Sequence, residues 1–226
     1  MKTIWIVDDE KDIRNLIKRY LDNEGYETRT FASAESIHSA LINATPDMLI
    51  LDIMLPGDDG LSLCRKIREQ HNMPIIFISA RGDEFDRILG MELGADDYLA
   101  KPFSPREMVV RVNAIFRRLG KPLDTDNSNY ISLGNITVDL RKRRITLNND
   151  EVILSNREFE LFLLLAKNPN CPLSRNQLIE SIWGYDFAGD ERVVDDTIKR
   201  IRKKLGRKGS PPELETVWGY GYKLNV

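Results

Sequence analysis

Five side chains in the first half of the chain could do chemistry together. Asp52 lies in the run Ile50-Leu51-Asp52-Ile53-Met54-Leu55-Pro56, an apolar stretch that reads as a buried strand carrying one carboxylate at its end. A lone buried charge is costly, so such a carboxylate needs a cation, a hydrogen bond or a chemical task. Asp8 and Asp9 follow Thr3-Ile4-Trp5-Ile6-Val7, Ser79 follows Pro74-Ile75-Ile76-Phe77-Ile78, and Lys101 follows Tyr98-Leu99-Ala100. Four strand ends thus deliver carboxylates, a hydroxyl and an ammonium, a set suited to a divalent metal and a phosphoryl group. Mg2+ takes hard oxygen ligands in octahedral geometry and keeps several waters. Asp9, Asp52 and a backbone carbonyl near Met54 can supply three of them. Asp52 can then attack a phosphoryl donor and become an aspartyl phosphate. Lys101 offsets the added charge, and the Ser79 hydroxyl donates to a phosphoryl oxygen. Singly, each piece has a blander meaning: an Asp-Asp pair often caps a helix, and Lys-Pro is usually a turn. Their order on successive strands points to one site.

The elements that must position them alternate. After the strand at 3–7, Asp12 to Leu21 has apolar residues at 13, 16, 17, 20 and 21, a helical spacing. Gly25 ends that helix, and Tyr26 to Thr30 reads as a short strand. Helices follow at Ala34 to Asn43, Leu61 to Gln70, Asp83 to Leu93 and Pro105 to Leu119, with strands at Asp47 to Asp52, Pro74 to Ser79 and Asp97 to Ala100 between them. Five βα units imply a parallel sheet covered on both faces, with right-handed crossovers. Ligands of such sheets bind at the C-terminal strand ends, where the five residues fall.

At 226 residues with a net charge of −2 the chain favours two ordinary domains. Residues 1–119 carry more acid than base and residues 120–226 the reverse; Arg192 to Lys208 alone has eight basic and two acidic side chains. That stripe suggests nucleic acid as a partner of the second half only. Cys64 and Cys171 read as reduced packing cysteines, and His38 and His71 give no zinc spacing. No signal segment is evident, and no run approaches the roughly 18 apolar residues of a membrane span. A cytoplasmic protein without membrane association is expected.

Residues 120–129 are polar and rich in turn formers, a linker. Short β-like runs follow at Ile131–Leu133, Ile136–Leu140, Arg144–Leu147 and Val152–Leu154, with Asn148-Asn149-Asp150 as a turn signal. Ser155-Asn156-Arg157-Glu158 and Ser174-Arg175-Asn176-Gln177 are capping boxes opening helices at Phe159 to Lys167 and Leu178 to Trp183. A third helix runs from about Arg192 to Leu205, and Glu215 to Leu224 looks like a hairpin around Gly219 and Gly221. In the third helix Val194, Ile198, Ile201 and Leu205 form one apolar stripe. Lys199, Arg200, Arg202, Lys203 and Lys204 read as the opposite side, suited to a major groove.

Residues 1–119 resemble the receiver domain of two-component response regulators. The resemblance rests on Ile6-Val7-Asp8-Asp9-Glu10, Leu51-Asp52-Ile53-Met54-Leu55-Pro56-Gly57, Ile78-Ser79-Ala80-Arg81 and Gly94-Ala95-Asp96-Asp97-Tyr98-Leu99-Ala100-Lys101-Pro102-Phe103. It implies a five-stranded, doubly wound, flavodoxin-like α/β fold. It also implies phosphoryl transfer to Asp52 from a sensor histidine kinase, and Mg2+ (or Mn2+) at Asp8, Asp9, Asp52 and the Met54 carbonyl. Further implications are phosphoryl binding by Ser79 and Lys101, a cis Lys101-Pro102 peptide, and a switch in which Tyr98 turns inward as Ser79 moves. Residues 130–226 resemble the α+β winged helix-turn-helix output domain of the OmpR/PhoB subfamily. The carriers are Leu154 to Leu161, Leu173 to Leu178, Val194 to Leu205 and Gly219-Tyr220-Gly221-Tyr222. This implies DNA contacts from Arg192, Thr197, Lys199, Arg200, Arg202, Lys203, Lys204 and Tyr220, and an RNA polymerase contact at Gly184–Gly189. Where many members carry Arg in the wing this chain has Trp218. Either Trp218 packs or stacks, or Lys223, Arg207 and Lys208 contact phosphates.

The resemblance also implies a homodimer formed on phosphorylation, through Arg87, Ile88, Met91, Asp96, Asp97, Glu107, Arg111 and Arg118. Arg87–Glu107 and Asp97–Arg111 are its expected pairs, with two output domains on tandem half-sites of double-stranded DNA. The expected function is a phosphorylation-activated transcriptional regulator, not an enzyme beyond self-catalysed phosphotransfer and dephosphorylation. The alternatives are a phosphorylation-independent DNA-binding regulator with a vestigial switch, a metal-dependent phosphatase, a flavin-binding electron carrier, and a scaffold that binds no DNA. The phosphatase reading lacks a second Asp after Asp52-Ile53, and the flavin reading lacks a phosphate loop after the first strand.

Overall fold

The chain divides into two units, Met1–Lys121 and Pro122–Val226, in a computed structural model that describes residues 1–57, 59–80, 90, 93–120, 129–184, 190–206 and 212–226. In the first unit β1 (Thr3–Val7), β2 (Glu27–Phe31), β3 (Met48–Asp52), β4 (Ile75–Ser79) and β5 (Asp97–Ala100) form one parallel sheet in the order β2-β1-β3-β4-β5. β3 and β4 are buried along their whole lengths, which is why both read as continuous apolar runs rather than as alternation. The described helices are α1 (Lys11–Asn23), α2 (Ala34–Leu41), α3 (Gly60–Arg68) and α4 (Pro105–Gly120). Ile17 and Leu21 of α1 and Met108, Val112 and Ile115 of α4 pack with Ile4, Ile6, Ile50 and Ile78 in one core cluster. The helix expected at Asp83–Leu93 lies outside the described residues except for Gly90 and Leu93.

Asp96, expected on a dimer surface, is instead buried at 1% exposure. Its backbone N–H donates to the Ile75 carbonyl (2.8 Å), and its Oδ2 accepts from the Ile75 N–H (2.9 Å), so one residue brackets the first residue of β4. The same Oδ2 lies 3.2 Å from Arg68 Nη2, and Arg68 also donates to the carbonyls of Gly94 (3.0 Å) and Met73 (2.6 Å). Satisfying the backbone at the sheet's entry, where α3, β4 and β5 meet, is what draws Asp96 inward. The family resemblance had implied a surface position for it.

In the second unit β6 (Tyr130–Leu133), β7 (Ile136–Asp139), β8 (Arg144–Leu147) and β9 (Asp150–Val152) form an antiparallel sheet in chain order. Asn148 and Asn149 alone make the β8–β9 turn, with φ of 52° and 75°, and Asp150 already pairs with Leu147. The last strand is therefore shifted from the expected Val152–Leu154, because a two-residue turn with both φ positive closes the hairpin. Helices α5 (Asn156–Lys167) and α6 (Arg175–Ile182) begin directly after the capping serines, earlier than the apolar periodicity placed them, with both reciprocal capping bonds present. The third helix, α7 (Arg192–Leu205), ends on Gly206 at φ 65°. β10 (Leu173–Ser174), β11 (Glu213–Val217) and β12 (Gly221–Asn225) form a second antiparallel sheet in the order β10-β12-β11. Cys64 is buried as expected, whereas Cys171 is exposed rather than packed, and both are free thiols.

Arg68→Ala leaves a buried carboxylate without its cation, a change that typically costs about 3–5 kcal/mol. The first urea-unfolding transition of the full chain should move to markedly lower denaturant. An unchanged midpoint would rule out the Arg68–Asp96 pair as an anchor of the sheet.

Candidate functional site

Strand register brings the five chemical residues to one edge. Val7 pairs with Leu51, Asp52 with Ile78 and Ser79 with Ala100, so the strands end almost level and their last or next residues meet. Asp8, Asp52 and Ser79 are at most 1% exposed, while Asp9 is exposed at the rim. Lys101 Nζ lies 2.7 Å from Asp52 Oδ2, 2.9 Å from Asp8 Oδ2 and 3.1 Å from Glu10 Oε1. The remaining oxygens are held by the backbone: Asp52 Oδ1 accepts from the Met54 N–H and Asp8 Oδ1 from the Glu10 N–H, each at 2.8 Å. The Lys101 N–H donates to the Ser79 carbonyl at 2.7 Å, and the Lys101-Pro102 peptide is cis. Behind the site α3 comes so close to β3 that a Cβ on Gly60 would sit 2.1 Å from the Asp52 carbonyl oxygen.

Burial pushes Asp8 up to about 6, and the nearby Asp52 charge adds to it, against the pull of Lys101 and the Glu10 N–H. Burial also opposes the Lys101 charge, but hydrogen bonds and charges from Asp52 and Asp8 outweigh it and hold the ammonium above its ordinary range. Asp8, Asp9 and Asp52 offer carboxylate oxygens that all lie within 4.8 Å of one another. That hard-oxygen donor set fits Mg2+ or Mn2+. Two neighbours escaped the sequence reading. Arg14 Nη1 donates to the carbonyls of Asp8 (2.6 Å) and Asp9 (2.9 Å), and Glu10 adds a third carboxylate to Lys101. The only signal was a cation one helical turn into α1, aimed back at the acidic loop.

Tyr98, the expected switch aromatic, is 9% exposed, on the β5 residue paired with Phe77. Of the expected dimer residues, Arg87, Ile88 and Met91 lie outside the described residues. Asp97 and Arg111, expected to pair across a two-fold axis, pair within the chain at 2.9 Å, and Arg111 also holds Glu107 at 2.8 Å one turn before it. β5 and α4 face each other locally, so these partners need no second copy. Arg118 Nη2 stands 3.9 Å from the buried Asp96 Oδ1.

In the second unit the cations of α7 separate by task. Arg192, Lys199 and Lys203 are exposed and, with the partly exposed Asp196, form one outward stripe at spacings of four, three and four. Arg200 and Lys204, expected on that face, reach back to the buried Glu158 of α5, at 3.1 Å and 2.7 Å. Arg202 donates to the Leu214 carbonyl (3.1 and 2.7 Å) and to Thr216 Oγ1 (2.9 Å), holding β11 against the helix. Thr197, also expected to face DNA, is fully buried and donates to the Val193 carbonyl at 2.6 Å. A helix of 3.6 residues per turn rotates 197, 200 and 204 toward the core side, which a run of charges in sequence conceals. The reading also missed a brace between helix and hairpin. Arg175 Nε and the Tyr222 hydroxyl both donate to Asp195 Oδ1, at 2.8 and 2.7 Å, while Arg175 and Arg202 lie over the Tyr222 ring. Tyr220 is half exposed on the hairpin turn, its carbonyl accepting from the Arg175 N–H at 3.2 Å.

A buried carboxylate paired with a lysine at the carboxyl edge of a doubly wound sheet, in a chain whose second unit presents a cationic helix beside a hairpin, is the layout of a signalling regulator that binds DNA. Comparison with known proteins agrees. Residues 4–113 match the response regulator receiver domain, and residues 149–224 match the C-terminal domain of transcriptional regulatory proteins. The chain is 40% identical to the transcriptional regulatory protein ResD of Bacillus subtilis (strain 168) over 230 residues, covering 99% of this chain and 95% of ResD. It is likewise 40% identical over 229 residues to SrrA of Staphylococcus aureus (strain NCTC 8325 / PS 47), with the same coverage of 99% and 95%. Among solved structures it is similar to the response regulator DrrB, a Thermotoga maritima OmpR/PhoB homologue, at 31% identity and TM-score 0.51, with 100% of both chains covered. The chain therefore belongs to the response regulators of OmpR/PhoB type, and it is a DNA-binding transcriptional regulator of a two-component system. No helix among the described residues is long and apolar enough to cross a membrane.

Two outcomes follow from the electrostatics. The raised Asp8 value means that the folded chain keeps this proton more tightly than the unfolded one, so its contribution favours the fold below the ordinary 3.8 and is lost as pH rises through about 6. Without added metal, Asp8→Asn should therefore raise the thermal midpoint more at about pH 7.5 than at about pH 5; an equal shift at both would contradict it. Glu158 behaves oppositely. Burial alone would raise it, but Lys204, the Ser155 N–H and Arg200 hold it below its ordinary 4.5, so its stabilisation is full above that value and is lost as pH falls through the lower folded value. Glu158→Gln should lower the thermal midpoint at neutral pH, with the deficit shrinking in acid; a deficit independent of pH would assign the loss to packing.

Proposed function

We propose that Asp52 accepts a phosphoryl group from a sensor histidine kinase, and that the aspartyl phosphate drives receiver dimerisation and promoter binding. The observation that carries this is the buried Asp52 carboxylate, 2.7 Å from Lys101 and beside Asp8 and Asp9. In the transfer an Asp52 oxygen forms the new bond to phosphorus as the phosphorus–nitrogen bond to the kinase imidazole breaks. Asp8, Asp9, Asp52 and the Met54 carbonyl would hold Mg2+ (or Mn2+), which when bound neutralises charge on the phosphoryl oxygens. Lys101 exchanges its contact with Asp52 Oδ2 for a phosphoryl oxygen, and Ser79 donates its hydroxyl to another. The Ser79 displacement is relayed to Tyr98 on β5. The protein is not a turnover enzyme in this reading; phosphotransfer and dephosphorylation are self-catalysed. It works in the cytoplasm as a homodimer on tandem half-sites of double-stranded DNA. Arg192, Lys199 and Lys203 face the major groove, and RNA polymerase meets the segment 184–189, of which only Gly184 is described.

Intact mass after incubation with acetyl phosphate and Mg2+ tests this directly. One added phosphoryl group in the wild type and none in Asp52→Asn is expected, with a dimer by sedimentation in the first case only. A phosphorylated, dimeric Asp52→Asn would sink Asp52 as acceptor, and no adduct on either protein would leave a phosphorylation-independent regulator.

A further inference from the structure

The outward stripe of α7 is not uniformly cationic. Arg192, Asp196, Lys199 and Lys203 lie on the side of the helix opposite the buried Val194, Ile198, Ile201 and Leu205, and Asp196 alone of the four is an acid. Its neighbours in the chain are committed to the domain itself. Asp195 accepts from Arg175 and the Tyr222 hydroxyl, and the buried Thr197 donates to the Val193 carbonyl. Among the described residues the Asp196 carboxylate makes no ion pair or hydrogen bond, although Arg192 stands four residues before it and Lys199 three residues after. Arg192 turns instead toward Asp190, at 3.6 Å. Asp196 is thus an acceptor with open lone pairs on a face whose other three charged groups only donate.

A carboxylate that meets phosphate weakens binding to any DNA. One that meets base edges discriminates between them. In the major groove guanine presents only the acceptors O6 and N7, and thymine presents O4 beside a methyl group, so both repel a carboxylate. Adenine presents its N6 amino group with the N7 acceptor next to it. Cytosine presents its N4 amino group with no acceptor of its own on that edge. Asp196 lies in the second turn of α7, in the N-terminal part from which recognition helices reach base edges. We infer that Asp196 reads one cytosine of the operator by accepting a hydrogen bond from its N4 amino group, and that it selects mainly by repelling guanine and thymine. A preference of this kind is a difference between bases, and the repulsive half of it costs affinity for all other DNA. The inference rests on the major-groove placement of α7 proposed above and adds the base that one position of this helix prefers.

The test is selection from a library of duplexes with a randomised central segment, using the full chain treated with acetyl phosphate and Mg2+, followed by sequencing of the bound DNA. The wild type should enrich a motif with one cytosine preferred about tenfold over guanine and thymine. In Asp196→Ala that position should fall to near parity while the rest of the motif stays. Asp196→Asn should move the same position toward adenine, because a carboxamide accepts from N6 and donates to N7. On a fluorescein-labelled duplex of mixed sequence Asp196→Ala should bind more tightly than the wild type, and Lys199→Ala more weakly with a flatter slope of log K against log salt. Thermal midpoints of the three variants should match the wild type, since side chains on this face add little to the fold. An identical motif from the wild type and Asp196→Ala would overturn the cytosine contact. It would fall alone if Lys199→Ala still weakens binding, and together with the placement of α7 if Lys199→Ala binds as the wild type does. Loss of preference at every position in Asp196→Ala would assign Asp196 to holding the helix and overturn its role as a reader, and a wild type that enriches no motif would overturn it as well.

Discussion

The first unit depends on one ammonium placed between two buried carboxylates. Asp8 and Asp52 end neighbouring parallel strands, and without Lys101 two like charges would face each other in a dry edge of the sheet. Such a pair is tolerated when a cation compensates it or when one carboxyl keeps its proton, and here Lys101 and the raised Asp8 do both. The strand register and the close approach of Gly60 bring that cation and those acids to one level. The same arrangement gathers oxygens of Asp8, Asp9 and Asp52 within 4.8 Å of one another, a donor set that fits a divalent metal.

The second unit uses charge differently. A helix with many cations in sequence keeps only part of them for a ligand. Glu158, at the start of α5, takes Arg200 and Lys204, and the wing takes Arg202. These contacts fix the angle of α7 against its own domain, so its cations are spent on holding the helix as well as on facing outward. Asp195 does the same from the other side, binding Arg175 and the Tyr222 hydroxyl where helix, turn and hairpin converge. The acidic residues near a DNA-facing surface thus shape it instead of weakening it.

The sheet, its five strands and the residues at their ends were legible because a parallel sheet imposes a simple code. Strands buried on both faces read as unbroken apolar runs, and chemistry collects at their C-terminal ends. Helix starts were legible through Ser155 and Ser174, although the apolar pattern set the helices in later than the caps did. Asp96 was misread because a charged residue before a strand looks solvated until the Ile75 N–H that donates to its carboxylate is seen beside it. Arg14, Glu158 and Arg175 were missed because their partners lie in other elements or, for Arg14, in backbone carbonyls that no sequence pattern marks.

The class of fold, the boundaries of most strands, the acidic trio with its serine and lysine, and the cationic third helix could all be read from residue order. These are local properties: hydrophobic period, caps, and residue type at strand ends. Packing of the elements settles which cations of that helix face outward, which acids are buried, and that Asp97 and Arg111 can satisfy each other within one chain. Those outcomes depend on distances between elements far apart in sequence. Burial raises the cost of an unpaired charge until it must find whichever partner the packing brings within reach.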